Sequence, residues 1–531
     1  MGGYQITIKK QAFLFLIIIG IWMLWLPSAF RSSAPSAETS HKVHIAFGFH
    51  VNLYHSFRGD TNDENGFGQD IRVIRHIIKE LDGFNRRGIP VSATWDFDNM
   101  FSLQEILPAH APDIIRDIQR RVRENRDEVI LMSYNNGMMS AMNHEEFMVS
   151  MQRAVTNSQG SGVLDLFGQV PRVVRPQEMM TTPGNFDLYQ KLGIPYVSLY
   201  YSATPFDAFR VFSRELTPNE AYNPVRFHNP ATNEQIIIMP TYHPGDLVEH
   251  ISLRHWAEKL HRLQAEGAID RDVLLFINFD ADAEFWTGVD IPQHLKWLPN
   301  TGGLGQLINS VADLNFVTFT KVTEYLDKHP PAGTIHFSQD TADGNFHGYN
   351  SWAEKSYVSD YWTRIVRNRR AHWTAQKVFA GAQGDTMPPE LNNLLERSFE
   401  IRMRALSTTN FGLATPFLAR PREAAMASLL EQLDKCTHLI EARVSSLAGS
   451  LIRKASPPQP GLILGKLVDT FLHMENGEIN NPSGDRILEF TLPTGAPDGK
   501  RYFLADTKGR ILSATIEKTN RISNGLFDTV S

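Results

Sequence analysis

The stretch Asp272-Val-Leu-Leu-Phe-Ile-Asn-Phe-Asp280-Ala-Asp282-Ala-Glu284-Phe-Trp286-Thr-Gly288 begins as a largely apolar run, Val273 to Phe279, and then places carboxylates at every second position. An apolar run of this length reads as a buried strand. A buried strand that ends in acids is how an α/β barrel presents reactive groups at its open face. A strand followed by a solvated acidic loop fits the same letters. If alternation continues past Phe279, Asp280, Asp282 and Glu284 point to one side.

Working outward, the same pattern recurs. Residues 43–50 form an apolar first strand that ends in His50, with Asn52 just beyond. Residues 91–96 run to Asp96, with Asp98 two positions on, and 128–132 form a third strand. Residues 171–176 lead to Gln177-Glu178, and 195–199 form a fifth strand. Residues 225–227 and 235–239, separated by Asn229-Pro-Ala-Thr-Asn-Glu234, read as a β-hairpin. Segments of helical periodicity lie between most of these strands, and Asn143-His-Glu-Glu146 carries an N-cap residue with acids in the first turn. The alternation predicts an α/β fold, a parallel (β/α)7-8 barrel-like domain over residues 41–330. Helical patterns over 331–456 predict a helical bundle. After Pro457-Pro-Gln-Pro460, short alternating segments predict a small β-rich region over 457–531.

The chain has 531 residues and a net charge of −6, which leaves no electrostatic footprint for nucleic acid. The basic cluster from Arg116 to Arg126, which includes Arg120, Arg121 and Arg123, is interleaved with Asp117 and Glu124 and reads as a solvated helix face. The single cysteine, Cys436, excludes an internal disulfide and a zinc–thiolate cluster. Lys9 and Lys10 precede an uncharged apolar run over 12–26, followed by a Ser/Ala/Pro-rich stretch. Residues 1–40 are therefore expected to be a signal peptide or membrane anchor with a linker, which places the protein at the cell envelope, anchored in the inner membrane or secreted to the periplasm.

In a parallel barrel all strand C-termini lie on one face. His50, Asn52, Asp96, Asp98, Glu178, Asp280, Asp282 and Glu284 are then expected to converge there, with Trp95, Tyr134 and Trp286 as apolar surfaces for sugar rings. Two facing carboxylates are the minimal apparatus for glycoside cleavage, one ionised and one protonated.

Val174-Arg-Pro-Gln-Glu178, followed by Leu192-Gly-Ile-Pro-Tyr196, resembles the nucleophile strand of glycoside hydrolase family 57. The resemblance implies Glu178 as nucleophile. Asp280-Ala-Asp282-Ala-Glu284 is similar to that family's Asp-x-Glu element, which implies Asp282 as general acid, with Asp280 next in rank. His50 matches a first-strand histidine shared with the family 38 mannosidases. The resemblance covers roughly residues 42–330. Three departures stand out. The family's His-Gln-Pro element is replaced by His50-Val-Asn52, and the zinc-binding His-x-Asp of family 38 ends here in Asn52. The deacetylases' His-x-x-x-His pair is missing from residues 132–139. The expectation is a retaining glycoside hydrolase or transglycosidase acting on a carbohydrate, with no cofactor and no metal. Two alternatives stay open: a catalytically silent glycan-binding barrel, and a zinc-dependent mannosidase-like enzyme.

Overall fold

The computed structural model describes residues 40–53, 68–201, 216–229, 235–281, 292–336, 356–381, 387–411 and 420–454, with short strand segments beyond these. The strands are β1 Val43–Val51, β2 Ala93–Phe97, β3 Glu128–Val129, β4 Val173–Val174, β5 Tyr196–Tyr200, β6 Val225–His228, β7 Gln235–Thr241, β8 Val273–Asp280, β9 Val317–Phe319 and β10 Thr334–Ile335. They form two five-stranded sheets. One runs β3-β2-β1-β8, with β9 on the N-terminal half of β1, and the other runs β10-β6-β7-β5-β4. All pairings are parallel except the β6–β7 hairpin, which matches its Asn/Pro-rich connection.

The two sheets meet at two seams. Leu131 bridges Val174 and Tyr242 bridges Ile277, both in parallel. The Leu131 amide donates to the Val173 carbonyl at 2.8 Å, and the Tyr242 amide donates to that of Phe276 at 2.8 Å. The predicted barrel is therefore two sheets touching at single bridges, and the ladders do not close into a continuous barrel. At the Leu131–Val174 seam the shortness of β3 and β4 accounts for this, since each contributes only two ladder residues.

The stretch that predicted the fold is the best-paired strand. Eight residues of β8 lie opposite β1 in register, from Val43↔Val273 to His50↔Asp280. Strands covered on both faces read as continuous apolar runs, and seven of the eight β8 residues are buried. Phe49 packs against Trp95 at 5.1 Å and Phe279 at 5.9 Å between ring centroids, tying β1, β2 and β8 together. Each such buried side chain contributes about 1.5–3 kcal/mol. Gly48 in β1 is required by its neighbours: a Cβ there would meet the Asn278 side-chain nitrogen at 2.5 Å and the Phe276 ring at 2.8 Å.

Among the flanking helices, α1 Pro112–Arg123 corrects the reading of the basic cluster. Arg121 is fully buried, bonded to Asp127 through two nitrogens at 2.8 Å and paired with Asp82. The helix turns this one arginine inward to hold the turn before β3, while Arg120, Arg123 and Arg126 keep outer positions.

Three long helices follow: α2 Ser356–Gly381, α3 Pro389–Ala405 and α4 Arg420–Lys454. Burial raises the Cys436 thiol above its ordinary range, in keeping with an inert thiol. The helices dock on the strand layer through buried charge. Glu146, whose backbone and side chain form a capping box with Asn143, receives Arg369 at 2.6 Å and Arg402 at 2.6 Å. Among the described residues no helix is long and apolar enough to cross a membrane. The expected N-terminal signal or anchor and its apolar run at 12–26 lie outside the described residues.

Candidate active site

Parallel pairing gathers the C-terminal ends of β1, β2, β4, β5, β7 and β8 on one side of the sheets. A single hydrogen-bonded chain links five of these strand ends. His50 Nδ1 donates to Asp96 Oδ1 at 2.5 Å. The side-chain amide of Asn278 donates to Asp96 Oδ2 at 3.1 Å. The Tyr200 hydroxyl donates to Asn278 Oδ1 at 3.5 Å and accepts from Arg175 Nη2 at 3.3 Å. Gly48 makes this possible, because its missing side chain is the space through which Asn278 reaches Asp96.

The charges in this chain are settled by their neighbours. Asp96 is completely buried, which alone would raise its carboxyl, but His50 and Arg175 outweigh burial and hold it below the ordinary carboxylate range. Arg175 is pushed above its ordinary value: burial opposes its charge, and Tyr200, Asp96 and Asp280 overcome that. Its Nε and Nη1 are buried with no partner among the described residues, so two donors remain unsatisfied at the strand ends. His243 follows β7 directly. Its Nδ1 accepts from the Gly245 amide at 3.0 Å, so the neutral ring carries its proton on Nε2. Burial, aided by Arg175 and opposed by Asp280, lowers its affinity for a second proton, which makes His243 a neutral donor.

Glu178 sits just beyond β4 in an unusual backbone. Glu178 has φ 51° and Met179 φ 55°, two successive non-glycine residues in the left-handed region. Such conformations cost about 1–3 kcal/mol each and cluster at functional sites. The turn is held from both sides. The Gln177 side-chain amide donates to Glu178 Oε1 at 2.8 Å, and the backbone amide of Tyr200 donates to Met179 Sδ at 3.4 Å. Beneath it, Gln177 Nε2 also reaches Thr408 Oγ1 at 3.4 Å. Thr408 comes from the segment between α3 and α4, whose backbone bonds the 133–137 loop: the Thr408 amide donates to the Asn136 carbonyl at 2.8 Å. The loop in which the deacetylases' histidine pair is missing is thus a docking surface for the helical segment.

The predicted site residues separate into four groups. His50, Asp96, Glu178 and Asp280 share the strand-end face. Asn52 is buried immediately after β1. Three others serve the fold. Trp95 is fully buried, its indole nitrogen donating to Asp127 at 2.9 Å. Asp98 is fully buried and caps the π-helical stretch Asn99–Ile106, accepting from the Phe101 and Ser102 amides. Tyr134 is buried and donates to Gln104 at 2.7 Å. None of these three offers its side chain as an exposed surface to a sugar. Asp282, Glu284 and Trp286 lie outside the described residues. Arg175, Asn278, Tyr200 and His243 were missed. A polar Asn278 inside an apolar run, opposite a strand glycine, was the signal available for one of them.

No family model matches the chain, and no curated protein matches it. Solved structures do. Its structural neighbours are family 57 enzymes, family 38 mannosidases and polysaccharide deacetylases. A GH57-type branching enzyme from the archaeon Pyrococcus horikoshii is 11% identical with a TM-score of 0.50, over 80% of this chain and 94% of that one. A 4-alpha-glucanotransferase from Thermococcus litoralis is 12% identical with a TM-score of 0.48, over 70% of this chain and 56% of that one, so the chain spans little more than half of its length. A family 38 protein from Enterococcus faecalis is 11% identical with a TM-score of 0.43, over 77% of this chain and 40% of that one. At these identities the likeness concerns the fold alone.

Proposed function

We propose that the chain is a carbohydrate-active enzyme, a retaining glycoside hydrolase or transglycosidase, with Glu178 as nucleophile and Asp282 as general acid/base. The placement of Glu178 carries this reading. It stands at a strand end, in a backbone conformation that costs energy, braced by Gln177 and by the helical segment, on the face that also holds a buried cation and a neutral histidine. The fold shared with a branching enzyme supports it.

In this reading the Glu178 carboxylate attacks the anomeric carbon while the acid protonates the departing glycosidic oxygen. Water or a second sugar hydroxyl then displaces Glu178 from the glycosyl–enzyme, with the second carboxylate as base. Retention requires the two carboxyls about 5–5.5 Å apart. The unpaired Arg175 N–H groups and His243 Nε2–H are suited to sugar hydroxyls, which carry acceptor lone pairs. Asp280, next to His50 in the β1–β8 register, is the second candidate for the acid. The charged start and apolar run of residues 1–40 support export or membrane anchoring.

The test is a panel of oligo- and polysaccharides, read as released reducing ends and redistributed chain lengths. Replacing Glu178 by Ala is expected to lower turnover by at least about 10⁴-fold. Wild-type turnover in that variant removes the assignment. Asp282→Asn and Asp280→Asn, compared on substrates with good leaving groups, identify the acid, since such substrates restore only the variant that lacks it.

A further inference from the structure

We propose that His44, Asp272 and His329 form a binding site for one divalent transition-metal ion of the zinc type, at the end of the strands opposite the candidate active site. His44 is the second residue of β1, Asp272 immediately precedes β8, and His329 immediately follows the helix Val322–Lys328. His50 lies six residues along the strand from His44, a distance of about 20 Å.

The donor set and spacing suit such an ion. One atom from each residue lies within 4.8 Å of the other two. Asp272 Oδ2 is 3.3 Å from His44 Nε2 and 3.2 Å from His329 Nε2. A tetrahedron with bonds of about 2.0–2.1 Å has edges of about 3.3–3.4 Å. Two imidazoles and a carboxylate are a donor set that zinc-type ions accept. His41 Nδ1 lies 3.5 Å from the other Asp272 oxygen, beside the three-residue cluster and not within it.

The tautomer of His329 points the same way. Its Nδ1 lies 2.8 Å from the Tyr325 carbonyl oxygen. A carbonyl only accepts, so Nδ1 carries the proton and the neutral ring turns a bare Nε2 lone pair toward a carboxylate oxygen. A neutral ring facing a carboxylate oxygen at 3.2 Å presents two acceptors, which either a proton on Nε2 or a metal ion between them satisfies. His44 Nε2 converges on the same oxygen, so one cation can serve both rings. A carbonyl that fixes the outer nitrogen of a ligating histidine is a recurrent feature of metal sites.

The site is also held in shape before any ion enters. The Tyr325 ring stacks on His329 at 3.8 Å and 13°. The Tyr325 hydroxyl lies 2.7 Å from Asn223 Oδ1 and 3.0 Å from the Asp272 carbonyl. The Lys42 amide donates to Asp272 Oδ1 at 2.9 Å. The side chains remain 15%, 27% and 19% exposed at His44, Asp272 and His329, which leaves an ion a way in.

The full chain, stripped with a chelator, is titrated with Zn²⁺ by calorimetry and with Co²⁺ by absorption. One equivalent is expected to bind, with the Co²⁺ spectrum of a low-coordinate nitrogen–oxygen site. His44→Gln and His329→Gln are each expected to weaken binding at least about tenfold, and His50→Gln to leave it unchanged. Failure of the wild-type chain to bind stoichiometrically overturns the proposal without any variant. So does loss of binding in His50→Gln with retention in His329→Gln, which would put the ion at the other strand end.

Discussion

β1 makes a histidine–aspartate contact near each end, His50 with Asp96 of β2 and His44 with Asp272 just before β8, and the two ends are built differently. At the upper end His50 and Asp96 meet at 2.5 Å, with side chains 7% and 0% exposed. Asn278 and the buried Arg175 complete the enclosure. At the lower end Asp272 is 27% exposed and faces His41, His44 and His329 at 3.2–3.5 Å, with a backbone amide as its other donor. The same residue types thus give two different devices. Enclosure beside a fixed cation makes Asp96 a permanent anion that positions its neighbours. Partial exposure lets Asp272 exchange partners, which a positioning anion cannot do.

The comparison breaks most visibly at Asp96. Asp96→Ala strands the Arg175 charge, the His50 Nδ1–H and the Asn278 amide in a buried setting. Removing one partner of a buried ion pair costs about 3–5 kcal/mol. A urea transition should move to lower midpoint with an unchanged slope. A cost below about 1 kcal/mol would show that Arg175 finds solvent or another anion, and the upper end would then not be enclosed.

Much of this was legible beforehand, for identifiable reasons. β1, β8 and the β6–β7 hairpin follow from apolar runs and a turn-rich connection, both local signals. Asn143 declared its helix start because capping is also local. The meeting of His50 and Asp96 followed from the parallel pairing of β1 with β2. What the letters concealed is direction and distance. Whether Arg121 and Arg175 turn inward depends on Asp127 and Asp82 in one case, and on Tyr200 and Asp96 in the other. Trp95 and Asp98 sit beside a strand end yet are claimed by Asp127 and by a helix cap. The contact of Thr408 with Gln177 spans over two hundred residues, so no window of sequence contains it.

Asp98, two residues past Asp96, separates the effect of burial from that of the cation. Both are fully buried, but Asp98 has only amide and hydroxyl donors, from Phe101 and Ser102. Burial pushes its carboxyl up from 3.8 to about 7. The sign follows from linkage. The folded chain keeps a proton that the unfolded chain releases, so the stabilisation is complete below about pH 4 and is lost as pH rises through about 7. The slope from this group is at most about 1.4 kcal/mol per pH unit. Asp96, held low, has the opposite sign: its contribution is present above the ordinary carboxylate range and is lost as pH falls through its lowered value. Asp98→Asn stays neutral and keeps an acceptor for the cap. The difference in stability between this variant and the wild type should therefore move in the variant's favour between about pH 4 and 7, then level off. A difference that does not change with pH would mean Asp98 titrates normally, and burial without a cation would not be what distinguishes it from Asp96.

The smallest effect is expected at the lower end. Asp272→Ala in chelator-treated protein removes contacts that are half solvated, and exposed pairs of this kind are worth about 0–1 kcal/mol. The same variant under saturating Zn²⁺ should lose more. An ion at a hundred times its dissociation constant stabilises the wild type by about 2.7 kcal/mol, and a variant without the carboxylate forgoes most of that. Thermal melts of both proteins, with and without Zn²⁺, separate the two contributions. A metal-independent cost near 3 kcal/mol would mean that Asp272 is bound to its neighbours no less tightly than Asp96, because only an enclosed anion is that expensive to remove.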